Sequence, residues 1–527
     1  MLPAGPGLHP RRVSVASMPF DLKSLVAARM GENYELHAQH LNPTLVEVQR
    51  TIGFDRVYVR AKGAYLYDAE GNEYLDFLSG YSVFNVGRNH PVVAKAVHDA
   101  LDLDLPNMVQ MDCSLMSGLL GEALLKKTPP HLDAVFFCNS GTEAVEGALK
   151  FARAATGRPR IVSLKGSYHG LSYGALSITG SETFQEGFGP FLADTEMVTL
   201  GDLEGLRTTL AMRDVAAFIV EPVQGKGVNF CDDDYLRQAQ ALCRQYGTLF
   251  ICDEVQTGLG RTGKWFAFEH WDLEPDIVTM AKTLSGGYVP CGAIVTRRAI
   301  YQKTFSRLDR CVVHSSTFGR NNLAMTSALA TLSVLEDEKL IENSAAVGEL
   351  LMARLRGLQK RHPFIKEVRG KGLMIAIEFH EPPQFRSKLA WRLMHKIDQS
   401  LFPQLVVVPL LSKHRVLTQV AGHHMDVIKI LPPLTIGRKE VDYFVNALDR
   451  TLTECSQFPG PILELARNTA QVTLTKIKRG GRRTVRPAAP AVNGRAAKNG
   501  HVGKVNGTNG HKVNGANGHL VTPPIAN

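Results

Sequence analysis

Two charged residues, 29 positions apart, sit where a soluble chain rarely leaves a charge without a reason: Asp253 and Lys282. Asp253 follows the apolar run Thr248–Cys252, and Lys282 follows the apolar stretch Asp276–Met280. A carboxylate at the end of a buried strand must be solvated, paired or functional. A lysine beside such a strand end has a depressed pKa and can act as a nucleophile. Three other groupings add hydroxyls, an aromatic ring and helix-start amides. Asn139-Ser140-Gly141-Thr142-Glu143 opens a helical pattern directly after the apolar run ending at Cys138, so its free N–H groups and hydroxyls form an anion cradle. Tyr168-His169-Gly170 places an aromatic plate beside a glycine, and His314-Ser315-Ser316-Thr317-Phe318-Gly319 offers a second set of hydroxyls. Each grouping alone has a plainer reading: Ser140 as a helix cap, Tyr168 as a structural ring, Lys282 as a surface charge.

Together they match the needs of pyridoxal 5'-phosphate. That cofactor requires a phosphate cradle, a stacking ring, a lysine for its Schiff base and an acid that keeps its pyridine nitrogen protonated, so that the ring acts as an electron sink.

The elements that must hold these residues are legible as alternation. Short continuous apolar runs at Ala134–Cys138, Arg160–Leu164, Ala216–Val220, Thr248–Cys252 and Gly292–Thr296 read as strands buried on both faces. Between them lie helix-period patterns: Val145, Ala148, Leu149 and Ala152 after Thr142, and Leu236, Ala239 and Cys243. Strand–helix alternation predicts an α/β fold with a mostly parallel sheet. Ligands in such sheets bind beyond the carboxyl ends of the strands, where Asp253 and Lys282 fall. After about Val334 the pattern changes to a long helix, Ala345–Gln359, then Glu367–Phe379 and an α+β-like end. The expected division is an N-terminal segment, 1–64, packing on a small domain; a large domain, 65–334; a small C-terminal domain, 335–458; a linker, 459–477; and a tail, 478–527.

Composition narrows the function classes. The 527 residues are 44% hydrophobic and 21% charged, ordinary globular usage. No run approaches the length of a membrane span, and residues 1–20 lack the apolar core of a secretory leader. The eight cysteines are scattered with no CxxC, which argues for a reducing, cytoplasmic setting and against a zinc site or disulfide framework. The net charge of +10 suggests nucleic-acid binding, but ten Lys/Arg and no acid lie between Lys476 and Asn527, leaving the body neutral. With Asn-Gly at 493, 499, 506, 509, 514 and 517, the tail reads as a disordered basic extension. It is either a solvated end or an electrostatic tether to nucleic acid, acidic lipid or an acidic partner.

From about Glu47 to Leu452 the chain resembles the class III pyridoxal-phosphate-dependent aminotransferases, the subgroup of ornithine, acetylornithine and putrescine aminotransferases. The resemblance is carried by the run from Asp253 to Gly263 (DEVQTGLGRTG) with the later Ala281-Lys282-Thr283. It is also carried by Ser140-Gly141-Thr142, Tyr168-His169-Gly170, Glu221-Pro222-Val223-Gln224-Gly225, Ser316-Thr317-Phe318-Gly319 and Arg369-Gly370-Lys371-Gly372. It implies fold type I, with a large domain built on a mostly parallel sheet and a smaller α+β C-terminal domain. It also implies a homodimer with the active site at the subunit interface. By the same resemblance Lys282 carries the Schiff base and moves the substrate proton, and Asp253 pairs with the pyridine nitrogen. Tyr168 and Val255 cover the two ring faces, and Gln256 contacts the ring hydroxyl. Ser140, Gly141 and Thr142 hold the phosphate, with Thr317 reaching it from the neighbouring subunit. Tyr81 resembles a position that lines the substrate pocket.

Three positions depart from the family pattern. Leu171 stands where many members have a carboxylate-binding Arg. Lys226 stands where many have a Glu, and Lys429 where that Glu's Arg partner stands. Lysine lacks the planar fork that grips a carboxylate. The expected reaction is therefore an ω-amino transfer from an ornithine-, diamine- or long amine-like donor to a carbonyl acceptor. Alternatives are amination of a polyol- or lipid-like carbonyl (of hopanoid type, for example) with an amino-acid donor, an aminomutase, and a tail-mediated binding protein with a vestigial site. The two lysines could also bind an anionic group in another geometry.

Overall fold

The computed structural model describes residues 20–109, 111–231, 234–381, 391–392, 395, 401–422 and 425–456. The expected linker and basic tail, and residues 1–19, lie outside them. Three sheets organise the described chain. The strands are β1 (Tyr58–Lys62), β2 (Tyr65–Asp68), β3 (Glu73–Asp76), β4 (Ala134–Cys138), β5 (Arg160–Leu164), β6 (Thr195–Val198), β7 (Val215–Val220), β8 (Leu249–Asp253), β9 (Ile277–Met280), β10 (Gly292–Thr296), β11 (Ile365–Lys371), β12 (Met374–Phe379), β13 (Val416–Leu417), β14 (Gln419–Val420) and β15 (Val427–Ile430).

The central sheet has seven strands in the order β4-β10-β9-β8-β7-β5-β6. Its pairs are parallel from β6 to β9, while β10 runs antiparallel to both β9 and β4. The predicted mostly parallel α/β sheet is therefore present, with one reversed strand. All six residues of β7 are buried, as are all those of β9 and β10, which is why these strands read as unbroken apolar runs. Each fully buried Ile, Val or Phe there contributes roughly 1.5–3 kcal/mol of transfer free energy. β8 ends at Asp253 itself, one residue later than the sequence pattern places it.

The crossover helix Gly141–Thr156 starts because Ser140 Oγ accepts from the Glu143 N–H (3.3 Å). It ends because Gly157 takes a left-handed φ of 70°. Its Ala144, Val145, Ala148, Leu149, Phe151 and Ala152 are buried, the face the 3.6-residue spacing anticipates. The expected helix Ala345–Gln359 extends over Leu340–Arg361. Its N-cap, Lys339, is left-handed and makes no side-chain cap bond, so the usual start signal is missing from the sequence.

The two smaller sheets flank this core. One has the order β1-β2-β3-β13, with the C-terminal β13 parallel to β3. The other, β11-β12-β15-β14, is antiparallel and carries Lys429 in β15. The parallel strands and β4 share one direction. Their carboxyl ends thus bring Asn139–Thr142, Tyr168–Gly170, Glu221–Gly225, Asp253–Gln256 and Ala281–Lys282 to one rim. Among the described residues no helix is long and apolar enough to cross a membrane, and no cluster of His, Cys, Asp and Glu could hold a metal.

Candidate active site

Asp253 is buried and fully partnered. His169 Nδ1 donates to its Oδ2 (2.8 Å), while Thr279 Oγ1 (3.0 Å) and the Val255 N–H (3.1 Å) donate to Oδ1. His169 is held in turn by its own N–H, which donates to Thr179 Oγ1 (3.1 Å). Its Nε2 is buried with no hydrogen-bond partner among the described residues. His169 is the middle residue of Tyr168-His169-Gly170, a motif whose sequence alone points to the ring of Tyr168 and not to the imidazole.

Lys282 opens a short 3-10 turn, Lys282–Ser285, with a left-handed φ of 48°. For a non-glycine residue that backbone costs of order 1 kcal/mol and persists only where the surroundings enforce it. Burial pushes the Lys282 amine below its ordinary value, and the nearby carboxylates of Asp253 and Glu221 oppose that shift. Glu221 caps β7 as Asp253 caps β8. Its two oxygens accept from the Tyr168 N–H (2.8 Å) and the Gly225 N–H (2.7 Å). Burial raises its pKa, and Asp253 adds to the rise. The signal that singled out Asp253, an acid at a buried strand end, was equally present at Glu221.

The helix start at Gly141 is closely packed by its neighbours. A β-carbon at Gly141 would fall 2.7 Å from Val255 Cγ1, so Val255 closes directly over the helix start. A β-carbon at Gly170 would collide with Thr142 Oγ1. Thr142 Oγ1 donates to Ser172 Oγ (2.6 Å) and accepts from the Ser172 N–H (3.2 Å). The Tyr168 ring meets Phe184 edge-on at 5.4 Å. Asn139 Nδ2 donates to Ser316 Oγ, which docks the hydroxyl-rich segment on its own β4, with Thr317 exposed beside it.

Tyr81 lies on an unusual turn. Ser79, Gly80, Tyr81 and Ser82 have φ of 42°, 59°, 62° and 71°, a left-handed turn that three non-glycine residues must sustain. Asp76 Oδ1 accepts from the Leu78 (3.0 Å) and Ser79 (2.7 Å) N–H groups, and Gln256 Nε2 donates to the Tyr81 carbonyl (3.1 Å). The Tyr81 hydroxyl donates to Gln419 Oε1, a contact nothing in the sequence signals.

Among the described residues neither substituted lysine forms an ion pair, although the Glu221 carboxylate is near enough to Lys429 to favour its charged form. Lys429 is buried, donates to the Gly225 carbonyl (2.8 Å) and lies 5.4 Å from the centre of the Tyr81 ring. Burial pushes its amine down to about 7, and Lys282 adds repulsion. Lys226 donates to Ser181 Oγ (2.9 Å) and lies 5.7 Å from the Phe184 ring. Leu171 is half exposed. Gly225 is thus held on both sides, its N–H by Glu221 and its carbonyl by Lys429.

Comparison with known proteins agrees with this geometry. Residues 47–452 match the aminotransferase class-III family. The chain is 38% identical over 459 residues to Aminotransferase PigE of Serratia sp. (strain ATCC 39006), covering 81% of this chain and 54% of that protein. It therefore spans about half the length of that curated relative. Among solved structures it is similar to the ornithine aminotransferase from Toxoplasma gondii ME49, with 31% identity, a TM-score of 0.68, and 77% and 92% of the two chains covered. It is also similar to an S-selective transaminase from Arthrobacter sp. with alanine bound, with 27% identity, a TM-score of 0.67, and 75% and 92% covered. The residues present fit the family's cofactor. Gly141 and Thr142 begin a 16-residue helix, where N–H groups have no intrahelical acceptor. The carboxylate of Asp253 and the amine of Lys282 stand at the ends of neighbouring strands. The chain belongs to the class-III aminotransferases, pyridoxal-phosphate-dependent enzymes of fold type I.

Proposed function

We propose that the chain is a working ω-aminotransferase that moves an amino group from an amine donor to a carbonyl acceptor. The observation that carries the reading is the gathering of Lys282, Asp253 and the Ser140–Thr142 helix start on one rim of the sheet. When bound, pyridoxal phosphate supplies an electron sink for the carbon that loses its proton. In this reading Ser140, Gly141 and Thr142 hold the phosphate, Tyr168 and Val255 enclose the ring, and Gln256 meets its hydroxyl. Asp253, fixed by His169 and Thr279, keeps the ring nitrogen protonated. Lys282 is the attachment point. With the cofactor bound, the Lys282 Nζ would also be the group that moves the proton at the amine-bearing carbon. Its burial supports this role, because a lysine held toward its neutral form is a better base near neutral pH.

The donor is an amine without a carboxylate near the reacting carbon, a diamine or long amine rather than an α-amino acid. Three features support this: Leu171 offers no cation, Lys226 is engaged with Ser181 and Phe184, and Lys429 is engaged with Gly225 and Tyr81. We also infer that two copies assemble with Thr317 reaching the neighbouring site, a reading supported by its exposure. A cytoplasmic setting is supported by eight scattered cysteines with no CxxC pair.

The test is an anaerobic half-reaction screen with ornithine, putrescine, glutamate, β- and γ-amino acids and a long-chain amine, following the cofactor's visible absorbance. Bleaching by diamines or long amines but not by glutamate supports the substrate reading. Fast bleaching by ornithine and glutamate overturns it while leaving the transaminase reading intact, and no bleaching by any amine overturns both.

A further inference from the structure

Arg261 is the largest fully buried side chain of the described chain, and its guanidinium has no carboxylate in hydrogen-bonding range among the described residues. It spans three segments instead. Nη1 donates to the carbonyls of Leu373 (2.9 Å), between β11 and β12, and Pro432 (2.6 Å), just beyond β15. Nη2 donates to Asn85 Oδ1 and to Ser79 Oγ (3.3 Å), the first residue of the left-handed turn that carries Tyr81. Burial pushes the guanidinium down to about 9, opposed by Asp76. A charge facing only neutral oxygens is a costly way to hold a fold together. What a guanidinium adds is a planar fork whose two arms are fixed in direction relative to each other.

The Asn85 arm leads to the catalytic lysine. The Asn85 N–H donates to Thr283 Oγ1 (3.1 Å), Thr283 Oγ1 donates to the Val83 carbonyl (3.1 Å), and Thr283 is the residue after Lys282. Asn85 Nδ2 donates to the Leu259 carbonyl (3.2 Å), and its own carbonyl accepts from the Leu434 N–H (2.8 Å). One side chain therefore touches the Tyr81 turn, the segment beyond Lys429, and the node that fixes the strained backbone of Lys282. We propose that Arg261 is a positioning residue for Lys282 and Tyr81, acting through Asn85, Thr283 and Ser79. This rests on the transaminase reading only for its effect on turnover.

The test uses the full chain and four variants: Arg261→Lys, Asn85→Ala, Thr283→Ala and, as a control, Ser344→Ala, whose hydroxyl meets only the Arg261 backbone carbonyl (3.1 Å). Three readouts are taken. In cofactor-free protein, hydrogen exchange is expected to rise in the peptides spanning 79–86 and 281–288 for the first three variants and not for the control. In the cofactor-loaded protein without substrate, the pH at which the visible band titrates is expected to shift in the same three. With a donor identified by the screen, kcat is expected to fall about 100-fold for Arg261→Lys with KM changed less than about threefold, the signature of a misplaced reacting group. The first two readouts need no turnover, so they stand or fall apart from the transaminase reading. Unchanged exchange at 281–288 and an unchanged titration in Arg261→Lys and Thr283→Ala would overturn the proposal. So would a loss of kcat matched in Ser344→Ala.

Discussion

His169 and Asp253 meet in the interior at 2.8 Å, Nδ1 to Oδ2, and with Thr279 and the Val255 N–H they leave the carboxylate no freedom to turn. A carboxylate held this way presents a fixed negative charge at the carboxyl end of β8. Asp253→Asn keeps the shape and removes the charge, so kcat is expected to fall by about 10²–10³ in single-turnover measurements. His169→Gln, which can still donate one hydrogen bond, is expected to lose roughly tenfold, with cofactor affinity little changed.

Borohydride reduction of the cofactor-loaded protein, followed by peptide mapping, is expected to find the label on Lys282 alone. Lys429 is the internal control, because it is also buried and also inclined to the neutral form. Label on Lys429 would overturn the assignment of the attachment point. Lys282→Ala is expected to lose the label and at least about 10³ in kcat.

Lys429 gives stability a pH signature. Its folded pKa of about 7 lies below the ordinary 10.5. Between those values the unfolded chain binds a proton that the folded chain does not, so stability rises with pH through that window and the cost is fully present below about 7. Lys429→Met removes the term. Its stability advantage over the parent is expected to be largest near pH 7 and to shrink by at most about 1.4 kcal/mol per pH unit toward pH 10. Denaturant titrations of both proteins across the range would show it, and a pH-independent difference would refute it.

Glu254 carries the opposite sign. It is buried, accepts from Thr257 Oγ1 and the Phe268 N–H, and burial raises its pKa from 4.5 to about 7. Here the folded chain holds the proton longer, so the contribution is present below 4.5 and is lost as pH rises through about 7. Glu254→Gln cannot ionise, so its stability relative to the parent is expected to rise by roughly 1–3 kcal/mol from pH 4.5 to pH 8. Thermal melts at matched pH values would measure the difference.

Truncation after Lys478 separates catalysis from any binding role of the basic extension. The shortened chain is expected to keep kcat/KM within about twofold, because no proposed site residue lies beyond Lys429. Loss of activity on truncation would favour a function built on the tail.

The strands were readable because a strand buried on both faces has no polar interruptions, and the acid and the lysine were readable because they end such runs. The reversed direction of β10 was not readable, since Gly292–Thr296 is buried on both faces whichever way it runs. The left-handed turn at Tyr81 was hidden for another reason. Gly80 alone favours it, while Ser79 is held there by Asp76 and Arg261 and Tyr81 by Gln256, contacts that the local sequence does not announce. His169 and Glu221 lie inside motifs, but the contacts of His169 with Asp253 and of Glu221 with the Tyr168 amide join separate strand ends, which spacing does not encode. Lys226 and Lys429 were recognised as departures from a family pattern. That Lys429 reaches the Gly225 carbonyl while Lys226 turns to Ser181 emerges only from the folded chain.

The reversed strand also sets an order of events during synthesis. β4, whose end supplies Ser140, Gly141 and Thr142, joins the sheet only through β10, register-paired from Gly292–Cys138 to Thr296–Ala134. A ribosome must therefore deliver the chain past Thr296 before β4, and the helix start that follows it, can be tied into the sheet. Such long sequence separation slows closure. A nascent chain that has passed Lys282 but not yet reached β10 already holds both Asp253 and Lys282, while β4 still lacks the strand that ties it into the sheet.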